Sequence, residues 1–429
     1  VTRAGSDALA WLQAWREPVH RDGLALVAST AATGVLGLVF WVVAARLYPP
    51  AVVGLNSVAI STMTLLSGLA QLNLSYLLLR FLPVAGTRTR RLVLASYGVS
   101  GIASLLVAGL FVLGARIWAP DLLDHVGGTG LLAFLLPGVA VWTVFALQDF
   151  VLTALGRAVV VPLENVAFSI LKMVLLMAIG GVAALGIAWA WLVATGVTVV
   201  VMSGYLLLRV LPRVTTNAEA DEPSASTAAV ARGTGLGRYA AAEYAGSVAW
   251  GAAVFGLPIA VLHVTGPDGA AVYGVAWTIA FALYMAASGT GQSFVAHAAR
   301  TPDDVDAALR AVVRRALVIV GVPVVVVVAG SSLLLRQFGT LYEQAGGSVL
   351  VVAALSALPN VFTNAAVNLA RARRRWGPLV AIPGSISVIT IALGLFLMPV
   401  LGVVGAAIGW LVAQTVVAAV ATPWKVLRA

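Results

Sequence analysis

Cysteine is absent from the 429 residues, which excludes thiolate chemistry and any Cys-ligated metal. Charge is scarce as well. Only 10% of residues are charged and 61% are hydrophobic, against about 25% and about 45 to 50% in soluble domains. With a mean hydropathy of +1.01, the composition is that of an integral membrane protein. Histidine occurs four times, at His20, His125, His263 and His297. These lie scattered near the ends of apolar runs and form no ligand set, so no metal site is predicted. There is no GxxxxGK[ST] phosphate loop, no HExxH, and no polar segment large enough for an ATPase or glycosyltransferase domain. Neither an enzymatic activity nor a cofactor is expected.

What is present is a succession of apolar runs. A bilayer needs about 20 such residues per helix, and twelve segments qualify: Leu24–Tyr48, Val52–Leu79, Leu92–Ile117, Leu131–Leu155, Val159–Gly180 and Ala183–Val210, then Tyr239–Val264, Ala270–Ala296, Ala311–Leu335, Gly347–Ala370, Pro378–Met398 and Gly402–Thr422. The second and sixth exceed one span and are expected to tilt, bend or protrude. The fold class is therefore all-α and polytopic. Before the first run, Ala8, Trp11, Leu12 and Trp15 share one face behind Ser6 and ahead of Pro18, which predicts an interfacial helix rather than a signal peptide.

Basic residues orient the spans. With an even count, all but four of the 26 basic residues fall on one side; Arg46, Arg116 and Arg336 fall on the other, and Lys172 stays within a span. The positive-inside rule predicts both termini in the cytoplasm. The net charge of +10 does not point to nucleic acid, because the arginines are divided among short loops at helix ends. "RARRRWGPL" reads as a topology signal first and an anionic-lipid contact second.

An internal repeat follows. "GIAWAWLVATGV" from Gly186 resembles "GAAIGWLVAQTV" from Gly405, sharing WLVA at an offset of 219, and the basic turn at Arg157 maps onto the RARRR cluster. Two six-helix halves with one direction imply parallel repeats, a plan of secondary transporters. The predicted organisation is an interfacial helix at 1–23, bundles at 24–210 and 239–423, a cytoplasmic linker at 211–238 and a tail at 424–429.

Charged residues inside spans are costly and face a cavity or a partner. Lys172, one of only two lysines in the chain, shares a stripe of the fifth helix with Asn165 and Ser169. Counting outward from the turn at Arg157 puts Lys172 level with Trp142 and too far along the helix to reach Asp149. Trp142 is therefore its expected neighbour. Lys172 is read either as a cavity-lining cation or as one satisfied by an ion pair or lipid headgroups. Asp149, Glu243 and Glu164 are candidates for proton or sodium coupling, or structural partners of nearby arginines. Asn360, Thr363, Asn364 and Asn368 form one polar face of the tenth helix, suited equally to sugar hydroxyls and to helix packing.

Two stretches carry a family resemblance. "AARLYPPAVVGLNSVAISTMTLLSGLAQLNLSYLLLRFLP", Ala44–Pro83, resembles the first helix hairpin of Wzx-like oligosaccharide-lipid flippases in the multidrug/oligosaccharidyl-lipid/polysaccharide (MOP) exporter superfamily. "LTALGRAVVVPLENVAFSILKMVLL", Leu152–Leu176, resembles the join of their fourth and fifth helices. The resemblance implies two MATE-like bundles around a cavity that opens alternately to either side. Its implied cargo is an isoprenoid-pyrophosphate-linked oligosaccharide, moved at the expense of an ion gradient. Arg46, Arg80, Arg157 and Lys172 match its basic positions, and the first helix lacks the acidic residue that some multidrug exporters carry there. Lys172 and Arg80 would meet the pyrophosphate, Arg80 being read equally as a topology residue at a cytoplasmic helix end, and Arg46 and Arg336 are read either as exit-side contacts or as arginines snorkelling at the interface. Asn165, Ser169, Trp142, Asn364 and Asn368 would complete the binding surface.

The expected function is a lipid-linked oligosaccharide flippase serving cell-surface polysaccharide synthesis. Its partners would be membrane lipids and a polysaccharide polymerase or glycosyltransferase. Two alternatives stand: a cation-coupled multidrug exporter, with a smaller acidic and aromatic cavity, and a non-transporting scaffold with a closed apolar interface.

Overall fold

The computed structural model describes residues 34–179, 184–213, 236–300, 305–422 and 424. The expected interfacial helix and most of the linker lie outside these residues.

Twelve helical segments are present among the described residues, in ten stretches long and apolar enough to cross a membrane and a shorter one, Gly34–Leu47. In the first half they are α1 (Gly34–Leu47), α2 (Pro50–Ala70, resuming as Leu74–Phe81), α3 (Thr89–Leu113), α4 (Gly128–Ala154), α5 (Val160–Ile179) and α6 (Gly186–Tyr205). In the second, Leu236–Gly251 continues through a wide π turn into Leu257–Arg300, which Gly266 at φ 73° breaks into α7 before it and α8 after it. Then come α9 (Val305–Ala329), α10 (Thr340–Leu355 and Ala357–Ala372), α11 (Trp376–Leu401) and α12 (Val403–Ala421). The chain is an all-α protein of two six-helix bundles.

The two overlong segments bend. Helix α2 breaks where Leu72 (φ 49°) and Asn73 (φ 60°) turn left-handed, a conformation Asn tolerates and Leu does not favour. Helix α6 absorbs its extra length in a π turn at Leu206–Val210. The loop at Ala119–Gly130, too short for a domain, contains a two-turn helix, Pro120–Val126.

The repeat is visible in backbone detail. Gly156 (φ 70°) ends α4 and Arg374 (φ 51°) ends α10. Each cap carries the same six-residue closure, Arg157 N–H to Leu152 C=O and Arg375 N–H to Ala370 C=O, both 2.8 Å. An arginine at the second left-handed position costs energy that a glycine would not, so the turn geometry is kept against local preference.

The bundles meet mainly through α2 and α8. A Cβ on Gly54 would lie 1.9 Å from the Pro267 carbonyl oxygen, so only glycine permits this approach. On the same, arginine-poor side, Arg46 donates to the carbonyls of Gln337 (2.7 Å) and Arg336 (2.8 Å), and Asp121 meets His263 at 2.6 Å. The bundles are thus tied together at their arginine-poor ends.

Candidate functional site

Toward the arginine-rich ends the bundles part around a cavity of about 610 Å³. Its walls include Tyr76, Arg80 and Phe81 of α2 with Tyr239, Glu243 and Arg371 of α7 and α10. The break in α2 creates this wall, because it swings Leu74–Phe81 out of line with the half that touches α8. Asn73 then donates to Ala240 C=O (3.2 Å) and Tyr244 to Leu69 C=O (2.6 Å), which bridge α2 to α7 above the cavity. Arg80 is exposed there with its guanidinium 5.9 Å from the Phe81 ring.

Behind that cavity a smaller one of about 210 Å³ lies inside the C-terminal bundle. Glu243 and Arg371 line both. Arg371 Nε donates to Glu243 Oε1 at 2.9 Å, and Nη2 donates to the same oxygen. Nη1 donates to Asn368 Oδ1 at 3.1 Å, and Asn368 in turn donates to Asn364 Oδ1 at 2.6 Å. Asn364 completes the chain to Ser288 Oγ at 3.4 Å. The polar face foreseen on α10 is therefore a hydrogen-bonded relay across α7, α8 and α10, open to the inner cavity at Asn360, Thr363 and Asn364. Glu243 is paired with Arg371 through Oε1, while its Oε2 is buried without a hydrogen-bond partner among the described residues. Its partner Arg371 was counted only as part of a topology cluster; the helix spacing Asn364, Asn368, Arg371 was the available signal.

The N-terminal bundle is arranged differently. Lys172 is 4% exposed. Its ammonium lies 4.1 Å from the Trp191 ring centroid and 5.0 Å from those of Phe40 and Phe168, a geometry in which ring quadrupoles attract a cation. No carboxylate pairs with it among the described residues, and it lines neither of the two cavities. The ring it rests on is Trp191, not Trp142. Trp142 is one ring further out, 5.8 Å from Trp191 and stacked on Phe145 at 5.3 Å. The difference arises because α5 packs far more extensively on α6 than on α4, so depth along the α4–α5 hairpin does not select the neighbour.

Ser169 is buried beside Lys172 but spends its hydroxyl on Asn165 C=O at 2.8 Å. Asn165 is half-buried and donates to Val161 C=O at 3.1 Å. Glu164 is 2% exposed and Asp149 half-buried. Arg46 is an exposed latch, and Arg336 contributes its carbonyl rather than its side chain.

No protein-family model matches the sequence, and no curated protein does. Solved structures do match. One, an inward-facing conformation of a multidrug resistance MATE family transporter of the MOP superfamily, is 18% identical over 92% of this chain and 94% of its own, with a TM-score of 0.65. A MATE structure in complex with MaD5 is 17% identical over 94% of each chain, with a TM-score of 0.62. An outward-facing MATE conformation is 16% identical over 94% of each, with a TM-score of 0.54. The fold is that of the MATE transporters. Within this MATE fold, the inter-bundle cavity and the relay behind it sit on the arginine-rich side, while Arg46, Gly54 and Asp121 close the other.

Proposed function

We propose that the protein is a transporter that moves a lipid-linked anionic glycan, an isoprenoid-pyrophosphate oligosaccharide, between the leaflets of a bacterial cytoplasmic membrane by alternating access. The observation that carries the reading is the sign of the inter-bundle cavity: Arg80 and Arg371 line it, and its one carboxylate, Glu243, is already paired. A cavity with surplus cation favours a pyrophosphate. Its apolar walls, Leu72, Leu77 and Phe81 among them, suit the first part of a lipid tail, and the relay of Asn364 and Asn368 suits sugar hydroxyls.

In this reading the two bundles are residues 24–210 and 239–423, joined by a cytoplasmic linker at 211–238, with both termini in the cytoplasm. The protein catalyses no covalent step. A proton or sodium gradient drives it, and a polymerase or glycosyltransferase is its working partner. Lys172 acts from within its ring cage as a fixed positive charge beside the path, and Arg46 releases the Arg336 and Gln337 carbonyls when the arginine-poor side opens.

The aromatic side chains Tyr76, Phe81 and Tyr239 in the same cavity favour a second reading, export of cationic amphiphiles. A scaffold without transport requires a closed apolar interface, which a charged inter-bundle cavity argues against. Proteoliposomes carrying a fluorescent isoprenoid-pyrophosphate glycan separate these. The flippase reading predicts protein-dependent loss of the inner-leaflet signal, reduced about 10-fold by Arg80→Glu, since a charge-assisted hydrogen bond contributes about 1.5 to 3 kcal/mol. Extrusion of a cationic dye with no glycan movement would establish the exporter instead.

A further inference from the structure

The C-terminal bundle carries two further cavities that the transport reading does not use. One, of about 570 Å³, opens at the arginine-rich end of α9, walled by Arg310, Arg314 and Leu317 of α9, Phe362 of α10 and Trp424 just after α12. The other, of about 430 Å³, lies further along the same two helices and has only apolar walls, among them Gly321, Val325 and Val328 of α9 with Leu355 and Leu358 of α10. Neither shares a wall residue with the two cavities described above.

The two lie along one groove. Arg310, Arg314, Leu317, Gly321, Val325 and Val328 recur every three or four residues, which puts them on one stripe of α9. Leu355, Leu358 and Phe362 repeat the period on the antiparallel α10. A Cβ on Gly321 would meet nothing within 4 Å, so the groove is open midway along its length. Val318, Val322 and Val325 are exposed on the same side of α9, as residues that meet lipid are.

Its mouth is basic and aromatic. Arg310 and Arg314 stand one turn apart, about 5 to 6 Å between Cβ atoms. Arg314 is exposed and pairs with no acid among the described residues, while Asp306, a turn before Arg310, is held by Arg373 at 2.6 Å. Trp424 is pinned at the mouth, since its indole N–H donates to Ala419 C=O at 2.9 Å and its ring lies 5.3 Å from that of Phe362. A tryptophan level with arginines marks the headgroup region of a leaflet. From Leu317 to Val328 the slot runs about 16 Å at 1.5 Å per residue, close to half of a hydrocarbon core about 30 Å thick. A topology role accounts for the arginines but not for a dry slot of one leaflet's depth beneath them.

We infer that the groove between α9 and α10 binds an anionic phospholipid of the leaflet on the arginine-rich side. Its phosphodiester is held by charge-assisted hydrogen bonds from Arg310 and Arg314, and one acyl chain lies along Leu317, Gly321 and Val328. Basic pockets between membrane helices are suited to such headgroups. The lipid is a resident of the fold rather than cargo, so the inference stands apart from what is transported.

The test uses the purified full chain in detergent, titrated with phosphatidylglycerol, with phosphatidylcholine of identical acyl chains, or with inorganic phosphate. The readouts are the unfolding temperature and lipid adducts in native mass spectra. Phosphatidylglycerol is expected to raise the unfolding temperature saturably and to be preferred over phosphatidylcholine by at least about 10-fold, while phosphate does neither. Arg310→Gln combined with Arg314→Gln abolishes the preference; Arg90→Gln, at an exposed arginine of the other bundle, preserves it. Gly321→Leu fills the slot and weakens both lipids without changing their ratio. A preference that survives the double arginine variant, an equal loss in the Arg90 variant, an equal rise from phosphate alone, or unchanged lipid binding in the Gly321 variant each overturns the site. Variants that elute as monodisperse protein with the parent's lipid-free unfolding temperature keep loss of binding distinct from loss of fold.

Discussion

In the C-terminal bundle Glu243 meets Arg371, and the guanidinium hands a further donor to Asn368; in the N-terminal bundle Lys172 lies among rings while Glu164 and Asp149 have no ion-pair partner among the described residues. The tryptophans of the repeated WLVA show the same contrast. Trp410 donates to the Tyr284 hydroxyl, which also bonds Ser356 at 2.6 Å. Trp191 has no acceptor for its indole N–H among the described residues and carries Lys172 on its face. Helix order and the turns that close α4 and α10 match between the halves, so at these tryptophans the contrast is carried by the side chains around them. A buried ion pair fixes helices to each other, and removing one partner leaves the other charge uncompensated.

That comparison can be broken experimentally, most severely at Arg371. Arg371→Ala leaves Glu243 buried without its partner and is expected to lower unfolding stability by about 3 kcal/mol in a thermal or denaturant titration. The double variant Glu243→Leu with Arg371→Leu recovers most of that loss, because an apolar pair replaces a buried ion pair at little cost. If Arg371→Ala behaved like substitution of an exposed arginine, the C-terminal bundle would not be locked by this pair.

Next come the close helix contacts. A Cβ on Gly246 would lie 2.1 Å from the Leu379 carbonyl oxygen, so Gly246→Ala forces α7 from α11 and costs about 1 to 3 kcal/mol. Gly54→Ala has a loss of similar size and separates α2 from α8 on the arginine-poor side. Unfolding curves rank the two against Gly289→Ala, where an added Cβ meets open space.

Lys172 gives a smaller effect on stability and a larger one on transport. Lys172→Met keeps the volume and loses about 2 kcal/mol of cation–ring attraction, offset by relief of an unpaired buried charge. The net change expected is about 1 kcal/mol or less, while glycan translocation in proteoliposomes falls. A large loss of stability would mean that the ring cage is structural.

Arg46 sharpens the comparison at the interface. Its contacts are exposed, so Arg46→Gln is expected to cost under about 1 kcal/mol. Because the chain has no native cysteine, a single cysteine at Gln337 reports opening of the arginine-poor side by its labelling rate, which should rise in the Arg46 variant.

The helix plan was legible in the sequence because apolar run length is a property of the chain in one dimension. The spans and the overlong second and sixth segments follow from it, and the turn repeated at Arg157 and Arg375 is marked by its basic residues. The candidate site was legible only in part. Asn364 and Asn368 were found by helical spacing, and Lys172 by the absence of any other charge at its depth. Arg371 escaped notice because it stands in a run of arginines at a helix end, where a topology role accounts for it without a partner. Trp191 escaped because depth was compared along the α4–α5 hairpin, and α5 leans on α6.

By itself, then, the sequence determined that the chain crosses a membrane in twelve helices, that its arginines gather at one set of helix ends, and that its halves repeat. These depend on composition and period, which survive any rotation of the helices. The tertiary structure decided which charge meets which partner: Glu243 and Arg371 are 128 residues apart, and Lys172 finds Trp191 through helix packing. Such contacts depend on how each helix turns about its axis and on which neighbour it leans, and only the packing of all twelve fixes that.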